Sequence, residues 1–366
     1  MAPRQPLFPE IDTPALVIDL DQLEKNIRAM QLFFEGRGAA LRPHFKTHKC
    51  PAIAHKQLAA GARGMTCAKV GEAEVLVAAG VGDVLIANQV VGETKIRRLM
   101  GLIRHSRITV AVDDPRNVKD LSAAAAAAGG RLGVLVEVDI GMGRCGVRPG
   151  RPAVDLAKLV RSKPNLDFVG LQGYEGHLVL LEPGPKKDAA TLAALGGLVK
   201  TKRALDAAGI ECREVSGGGT GTYRVTGAHP AMTEIQAGSY ATMDARYSRV
   251  TPEFGQALFC LVTIVSRPRR GVAIGDAGMK ALTTEFGMPE AAARGASVVR
   301  LSEEHAQFAL TGAAERLVPG DRLLVVPSHG CTTFNLHDRL YGVRRAGHDG
   351  RRVECEWPIS ARGAFQ

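Results

Sequence analysis

Along the first two thirds of the chain, short apolar runs alternate with longer amphipathic stretches. The runs at 39–45, 63–67, 83–87, 107–112, 132–138, 166–172, 211–215 and 232–236 have strand length, while 70–79, 114–128, 151–161 and 187–208 repeat their apolar residues with a helical period. Strands that are apolar on both faces, each followed by a helix, predict buried parallel strands. Eight of them describe an α/β fold, a (β/α)8 TIM-type barrel of about 200 to 250 residues. A doubly wound sheet competes but normally needs fewer strands. Upstream, Ala15-Leu-Val-Ile-Asp-Leu reads as a strand, and Asp21 is expected to cap a helix running to about Gly36. The alanine tract 123–128 reads as the end of a helix stopped by Gly129-Gly130. Beyond about Arg246 the long helical stretches give way to strand-like runs at 257–266, 272–274, 322–326 and 340–343. The expected organisation is a barrel over 20–245 and a mainly β C-terminal domain over 246–366, with residues 1–19 packing on the latter.

Composition narrows this picture. A chain of 366 residues that is 45% hydrophobic can bury a large core. No apolar run approaches the roughly 20 residues of a membrane span, and the opening Met-Ala-Pro-Arg-Gln-Pro lacks the apolar segment of a signal peptide, so a soluble cytoplasmic protein is expected. Seven scattered cysteines without a Cys-x-x-Cys pair argue for reduced thiols. The formal charge of +10 is dispersed, its longest cluster lies at 267–270, and only 5% of residues are aromatic. Those features argue for a solvated basic surface that attracts anionic metabolites and against nucleic-acid binding.

Two stretches carry chemistry. Arg42-Pro-His-Phe-Lys-Thr-His-Lys places Lys46 where the first barrel strand ends, and a lysine desolvated at a strand mouth is a nucleophile toward carbonyls. Ser216-Gly-Gly-Gly-Thr-Gly-Thr-Tyr follows the seventh strand. Its glycines, Gly218 and Gly219 among them, let N–H groups converge on an anion, and Ser216, Thr220 and Thr222 add hydroxyls. Gly238-Ser239-Tyr240 follows the eighth strand, and barrels of this kind bind phosphate after strands 7 and 8. A lysine on strand 1 beside a phosphate cradle on strands 7 and 8 is the layout for pyridoxal 5'-phosphate.

Together with Gly141-Met-Gly-Arg-Cys-Gly-Val, Glu234-Ile-Gln-Ala-Gly-Ser-Tyr and Pro327-Ser-His-Gly-Cys-Thr-Thr-Phe-Asn-Leu-His-Asp, these motifs resemble the D-threonine aldolase and D-serine dehydratase family, an alanine-racemase-like group of pyridoxal-phosphate enzymes. The resemblance runs from Asp12-Thr-Pro to Trp357-Pro-Ile-Ser-Ala-Arg-Gly. It implies a homodimer with a divalent metal beside the cofactor. It matches Lys46 to the lysine that holds the cofactor covalently, Arg144 to the residue near the phenolic oxygen, and Tyr174 to the aromatic residue near the pyridine nitrogen. Tyrosine there supplies no full ion pair, which suits reactions needing modest carbanion stabilisation.

The metal motif implied by the resemblance is His329-x-Cys331. On an extended segment, i and i+2 point the same way, so both could reach one ion. The aldolase pattern has aspartate at position 331; histidine with cysteine is the dehydratase pattern, and thiolate favours zinc over manganese or magnesium. The family's histidine base falls on Leu180, and His177 is the nearest substitute. Asp276 and Glu303-Glu304-His305 match family positions, where structural roles are as consistent, and His44 and His48 can simply pack around the lysine loop. The expected activity is therefore a lyase of the D-threonine-aldolase type acting on D-β-hydroxy amino acids. D-Serine or D-3-hydroxyaspartate dehydratase is the alternative, ahead of an amino-acid racemase or a non-catalytic pyridoxal-phosphate carrier. A nucleic-acid binder stands last.

Overall fold

The computed structural model describes residues 7–346 and 350–366, so the opening Met-Ala-Pro-Arg-Gln-Pro lies outside the described residues. Two compact units divide the chain. One gathers Met30–Lys46, Ile53–Gly238 and Gly363–Gln366; the other gathers Met1–Ala29, Thr47–Ala52 and Ser239–Arg362. No helix among the described residues is long and apolar enough to cross a membrane.

The first unit is the expected barrel. Its eight strands, Ala40–Leu41, Met65–Cys67, Asp83–Gln89, Arg107–Val112, Leu132–Glu137, Leu166–Gly173, Glu214–Gly217 and Glu234–Ile235, pair in parallel, with the last against the first. A parallel bridge between His44 and Thr66 closes the ring. Leu85, Leu135 and Val169, each at most 1% exposed, pack as one cluster, and truncating such a side chain costs about 2–5 kcal/mol. The ladder between the first and eighth strands holds only two residue pairs, Ala40 with Glu234 and Leu41 with Ile235. Arg42 reinforces it. Its Nε donates to Glu234 at 2.6 Å, fully buried, and its Nη1 to Asp83 at 2.8 Å, part-buried. Burial disfavours the guanidinium, but these two carboxylates outweigh it and raise its pKa. Removing one partner of such a buried pair typically costs about 3–5 kcal/mol. The conspicuous arginine that opens the lysine motif therefore serves barrel closure.

The helices follow the pattern: Val70–Ala78, Pro115–Ala127, Arg151–Arg161 and Pro185–Ala207. The alanine tract ends the second of these, and Gly129 adopts a left-handed φ of 65° just beyond it. One cap differs from expectation. The helix Leu20–Phe34 starts one residue before Asp21, and Asp19 Oδ1 accepts the N–H of Gln22 at 3.0 Å; Asp19 is thus the cap, while Asp21 pairs with Arg344.

The second unit is a nine-stranded, mostly antiparallel sheet. The strand Ala15–Asp19 lies between Leu258–Arg269 and Arg339–Ala346, with Leu16 opposite Cys260 on one side and Leu340 on the other. Phe8, Ile11, Val17, Leu261 and Val343 form its buried cluster. Four strands lay outside the sequence reading: Glu290–Ala291, Ala296–Leu301, Ala306–Leu310 and Gly350–Pro358. The pairing of the middle two slips register between Val298 and Arg300, which breaks the alternation that would have revealed them.

Candidate active site

Five barrel strands deliver candidate residues at their C-terminal ends. Lys46, half-buried, sits in the single 3-10 turn Phe45–Thr47 after the first strand, and its N–H donates to His44 Nδ1 at 3.4 Å. His48 Nδ1 likewise accepts the N–H of Cys50 at 3.2 Å, so both histidines shape the lysine turn. After the fifth strand, Asp139 Oδ1 accepts the N–H groups of Gly141 and Gly143 and folds the loop that carries Arg144. Tyr174 follows the sixth strand directly. Lys46 Nζ lies 6.0 Å and Arg144 Cζ 5.8 Å from the centre of its ring. A methyl group added at Gly219, after the seventh strand, would sit 3.3 Å from the same ring. Lys46, Arg144, Tyr174 and Gly219 are therefore brought together. His177 is exposed beside Gly141, where an added methyl would meet the imidazole at 3.1 Å.

The glycine loop differs from expectation in which groups face a ligand. Ser216 Oγ donates to Glu234 Oε1 at 2.7 Å and accepts from Gln236, inside the barrel. Thr222 Oγ1 donates to Glu175 Oε1 at 2.7 Å. Backbone donors remain: among the described residues no acceptor meets the N–H groups of Gly218, Gly221 and Gly238. Buried N–H groups are almost always paired, so an anion fits this loop and would satisfy them. Ser239 and Tyr240 belong to the second unit, where Tyr240 is fully buried with its ring 5.8 Å from Phe254.

Glu137, buried at the end of the fifth strand, escaped the sequence reading. It accepts from Gln89 Nε2 at 2.5 Å, and burial raises its pKa while Arg144 opposes the rise.

In the second unit, His329 and Cys331 stand side by side, but not on an extended segment. Only His329 is extended, at φ −144° and ψ 133°; the helix Gly330–Phe334 starts immediately after it, and the helical turn rather than strand alternation sets the pair. His329 is buried against Phe286, 4.7 Å between ring centres, and its Nδ1 donates to Asp244 Oδ2 at 2.8 Å. Burial opposes a charged ring, yet Cys331 and Asp244 beside it outweigh burial and push its pKa up to about 11. Cys331 Sγ approaches Thr47 Oγ1, the residue after Lys46, at 3.7 Å. His329 and Cys331 together offer one imidazole and one sulfur, a donor set suited to zinc. Among the described residues, no group of three or more His, Cys, Asp and Glu side chains is gathered for a metal. A cation here would have two protein ligands, leaving positions for water or substrate.

Asp276 is structural: its carboxylate accepts from Thr13 Oγ1 at 2.5 Å and from the N–H of Thr263 at 2.9 Å. Glu303-Glu304-His305 is the turn between the strands Ala296–Leu301 and Ala306–Leu310, with Glu304 on Lys280.

Comparisons with known proteins agree with this layout. The family model "Alanine racemase, N-terminal domain" matches residues 18–246, and a serine dehydratase domain model matches residues 257–343. The chain is 42% identical over 368 residues to a D-threonine aldolase of Arthrobacter sp., covering 99% of this chain and 96% of that one. It is 38% identical over 370 residues to a 3-hydroxy-D-aspartate aldolase of Paracoccus denitrificans, covering 97% and 93%. The crystal structure of D-threonine aldolase from Filomicrobium marinum superposes with a TM-score of 0.94 at 42% identity, covering 100% of both chains. Similar along its whole length to these aldolases, the chain belongs to the D-threonine aldolase and D-serine dehydratase family of alanine-racemase-like, pyridoxal-phosphate-dependent lyases.

Proposed function

We propose that this protein cleaves D-3-hydroxy-α-amino acids to glycine and an aldehyde, using pyridoxal phosphate held in the barrel and a divalent cation, zinc by donor chemistry, held by His329 and Cys331. The observation that carries the reading is the convergence of Lys46 and Arg144 on the Tyr174 ring beside Gly219. Lys46 is the covalent anchor. The N–H groups of Gly218, Gly221 and Gly238 form the phosphate cradle, with Ser216, Gly219 and Thr220 shaping the loop that presents them. With the cofactor bound, Arg144 would keep its phenolic oxygen anionic and Tyr174 would be the aromatic residue beside its pyridine ring. The bound cofactor supplies an electron sink for charge developing at Cα, and the cation supplies Lewis acidity at the substrate's β-oxygen. Exposed at the barrel mouth, His177 is free to take the hydroxyl proton and pass it to water. Tyr174 carries no formal charge to pair with the ring nitrogen, so the sink is modest and suits a bond cleavage whose carbanion is short-lived.

A second reading rests on Cys331, which gives the chain a histidine and cysteine pair rather than histidine and aspartate. In that reading Lys46 removes the Cα proton, the hydroxyl leaves as water, and the enamine released tautomerises to an imine that a water molecule hydrolyses to a 2-oxo acid and ammonia. The reading includes a homodimer working in the cytoplasm, as the family resemblance implies, and the dispersed basic charge supports small anionic amino acids as its partners over nucleic acid or membranes. Incubation with D-threonine and D-serine, followed by assay of glycine, aldehyde and 2-oxo acid, decides between the reactions. Glycine with acetaldehyde from D-threonine is the expected outcome; 2-oxo acid without glycine would replace it with dehydration.

A further inference from the structure

Glu175, between Tyr174 and His177, is fully buried. One of its oxygens, Oε1, accepts both the Thr222 hydroxyl, at 2.7 Å, and the Thr226 hydroxyl. The other, Oε2, has no partner among the described residues. Such a carboxylate is costly to keep in a barrel interior and calls for an account.

The hydroxyl of Thr222 supplies one. A hydroxyl has a single hydrogen, and where that hydrogen goes fixes where its lone pairs face. With the hydrogen committed to Glu175, Thr222 Oγ1 accepts the N–H of Gly219 at 3.2 Å, while the N–H of Thr222 donates back to Gly219 O at 3.1 Å. Without Glu175, the nearest alternative acceptor for that hydrogen is the same Gly219 O, 3.5 Å away, and turning toward it would pull the lone pair off the Gly219 N–H. Thr226 ties down the chain beyond, its N–H bonded to Thr222 O at 3.0 Å. Glu175 is also the next residue after Tyr174, whose ring faces Gly219. One carboxylate therefore locks the glycine loop to the segment that carries the tyrosine.

We propose that Glu175 is a positioning residue for the phosphate group of the cofactor: through Thr222 and Thr226 it holds the Gly218–Gly221 backbone in the shape that presents the N–H groups of Gly218 and Gly221 to an anion. The inference rests on the reading of this loop as the phosphate cradle. It predicts an effect specific to the phosphate, which a general loss of packing would not give.

The test is the affinity of the full-length enzyme, stripped of cofactor, for pyridoxal phosphate and for pyridoxal, which lacks the phosphate. Glu175→Met keeps the volume and removes the acceptor. It should weaken pyridoxal phosphate binding by about tenfold or more while changing pyridoxal binding by less than about twofold. Glu175→Gln retains an oxygen for the two hydroxyls and should stay within about threefold of the unmodified enzyme for both ligands. Should Glu175→Met fail to fold, Thr222→Val, which removes only the hydroxyl, is judged by the same ratio. Equal losses for both ligands, or no loss for either, would overturn the inference. An unmodified enzyme that binds pyridoxal as tightly as pyridoxal phosphate would overturn the phosphate-cradle reading itself, and the inference with it.

Discussion

His329 Nδ1 and Asp244 Oδ2 are 2.8 Å apart, and that bond leaves the opposite ring nitrogen, Nε2, as the one able to bind a cation. The carboxylate has no capacity to spare as a ligand. Its Oδ2 also accepts the N–H of Gly330, and its Oδ1 accepts those of Arg246 and Tyr247. Asp244 is thus a carboxylate that orients a histidine, an arrangement worth about 10- to 100-fold in metal affinity elsewhere. Asp244→Ala should weaken zinc binding by about that factor in a chelator-competition titration, and Asp244→Asn, which still offers an oxygen to Nδ1, by less. Unchanged affinity in the alanine variant would leave Asp244 as a loop anchor only.

Lys46 Nζ lies 6.0 Å from the centre of the Tyr174 ring and should carry the cofactor. The purified protein should absorb near about 420 nm, and borohydride followed by peptide mapping should place the label on Lys46. Lys46→Ala should lose the absorbance and all turnover. A label on buried Lys49, or on Lys69, would contradict this arrangement.

The glycine loop offers a choice of probes, and their backbones differ. Gly218 has φ 74°, so any side chain there strains the fold as well as the site. Gly219 carries no such constraint, and its added methyl would meet the Tyr174 ring at 3.3 Å and Val179 at 3.3 Å. Gly219→Ala should therefore lower cofactor affinity by about five- to tenfold, while the apoprotein's Tm falls by no more than the few degrees equivalent to about 1 kcal/mol. A Tm loss large enough to account for the affinity loss would make the loop structural.

What the sequence revealed depended on whether a signal was local. The eight barrel strands were legible because parallel strands buried on both faces are nearly continuous in apolar residues. Lys46 and the glycine loop were legible because each follows such a strand, whereas Arg144 and Tyr174 were matched through the family resemblance alone. Barrel closure by Arg42 was not, since its partner Glu234 lies 192 residues away. Asp244, 85 residues from His329, left no spacing pattern for the same reason. Glu175 did leave a trace: a charged residue between Gln172-Gly-Tyr and Gly-His, in a stretch otherwise suited to burial. The short helix after His329 was missed because Gly330-Cys-Thr-Thr-Phe has poor intrinsic helix propensity, and tertiary packing decides it.

Glu137 carries a testable pH dependence. Burial raises its pKa in the folded protein above the ordinary glutamate value near 4.5. As pH rises through 4.5, the unfolded chain loses this proton before the folded one does, so the folded state binds more protons and its contribution to stability falls until the raised folded pKa is passed. Glu137→Gln removes the penalty of charging a buried group and can keep a hydrogen bond to Gln89. The Tm of the variant minus that of the unmodified protein should therefore be more positive at pH 7 than at pH 4, by thermal melts in matched ionic strength. A difference that does not change with pH would mean that Glu137 titrates as it does in water.

Cys331 is the position at which the donor pair departs from the aldolase pattern, and replacing it separates the metal's identity from its presence. A thiolate binds zinc strongly and manganese poorly, whereas a carboxylate is a harder ligand that suits manganese or magnesium. Cys331→Asp should therefore shift the activating ion from zinc toward manganese and raise glycine formation from D-threonine relative to 2-oxo acid formation from D-serine. The barrel residues that hold the cofactor are untouched by this change, so the visible absorbance should persist in the variant. It should also persist in unmodified enzyme after exhaustive chelation, with turnover abolished and then restored by added metal. Full turnover after chelation, with no metal found by elemental analysis, would reduce His329 and Cys331 to a hydrogen-bonded pair that holds the helix Gly330–Phe334 in place.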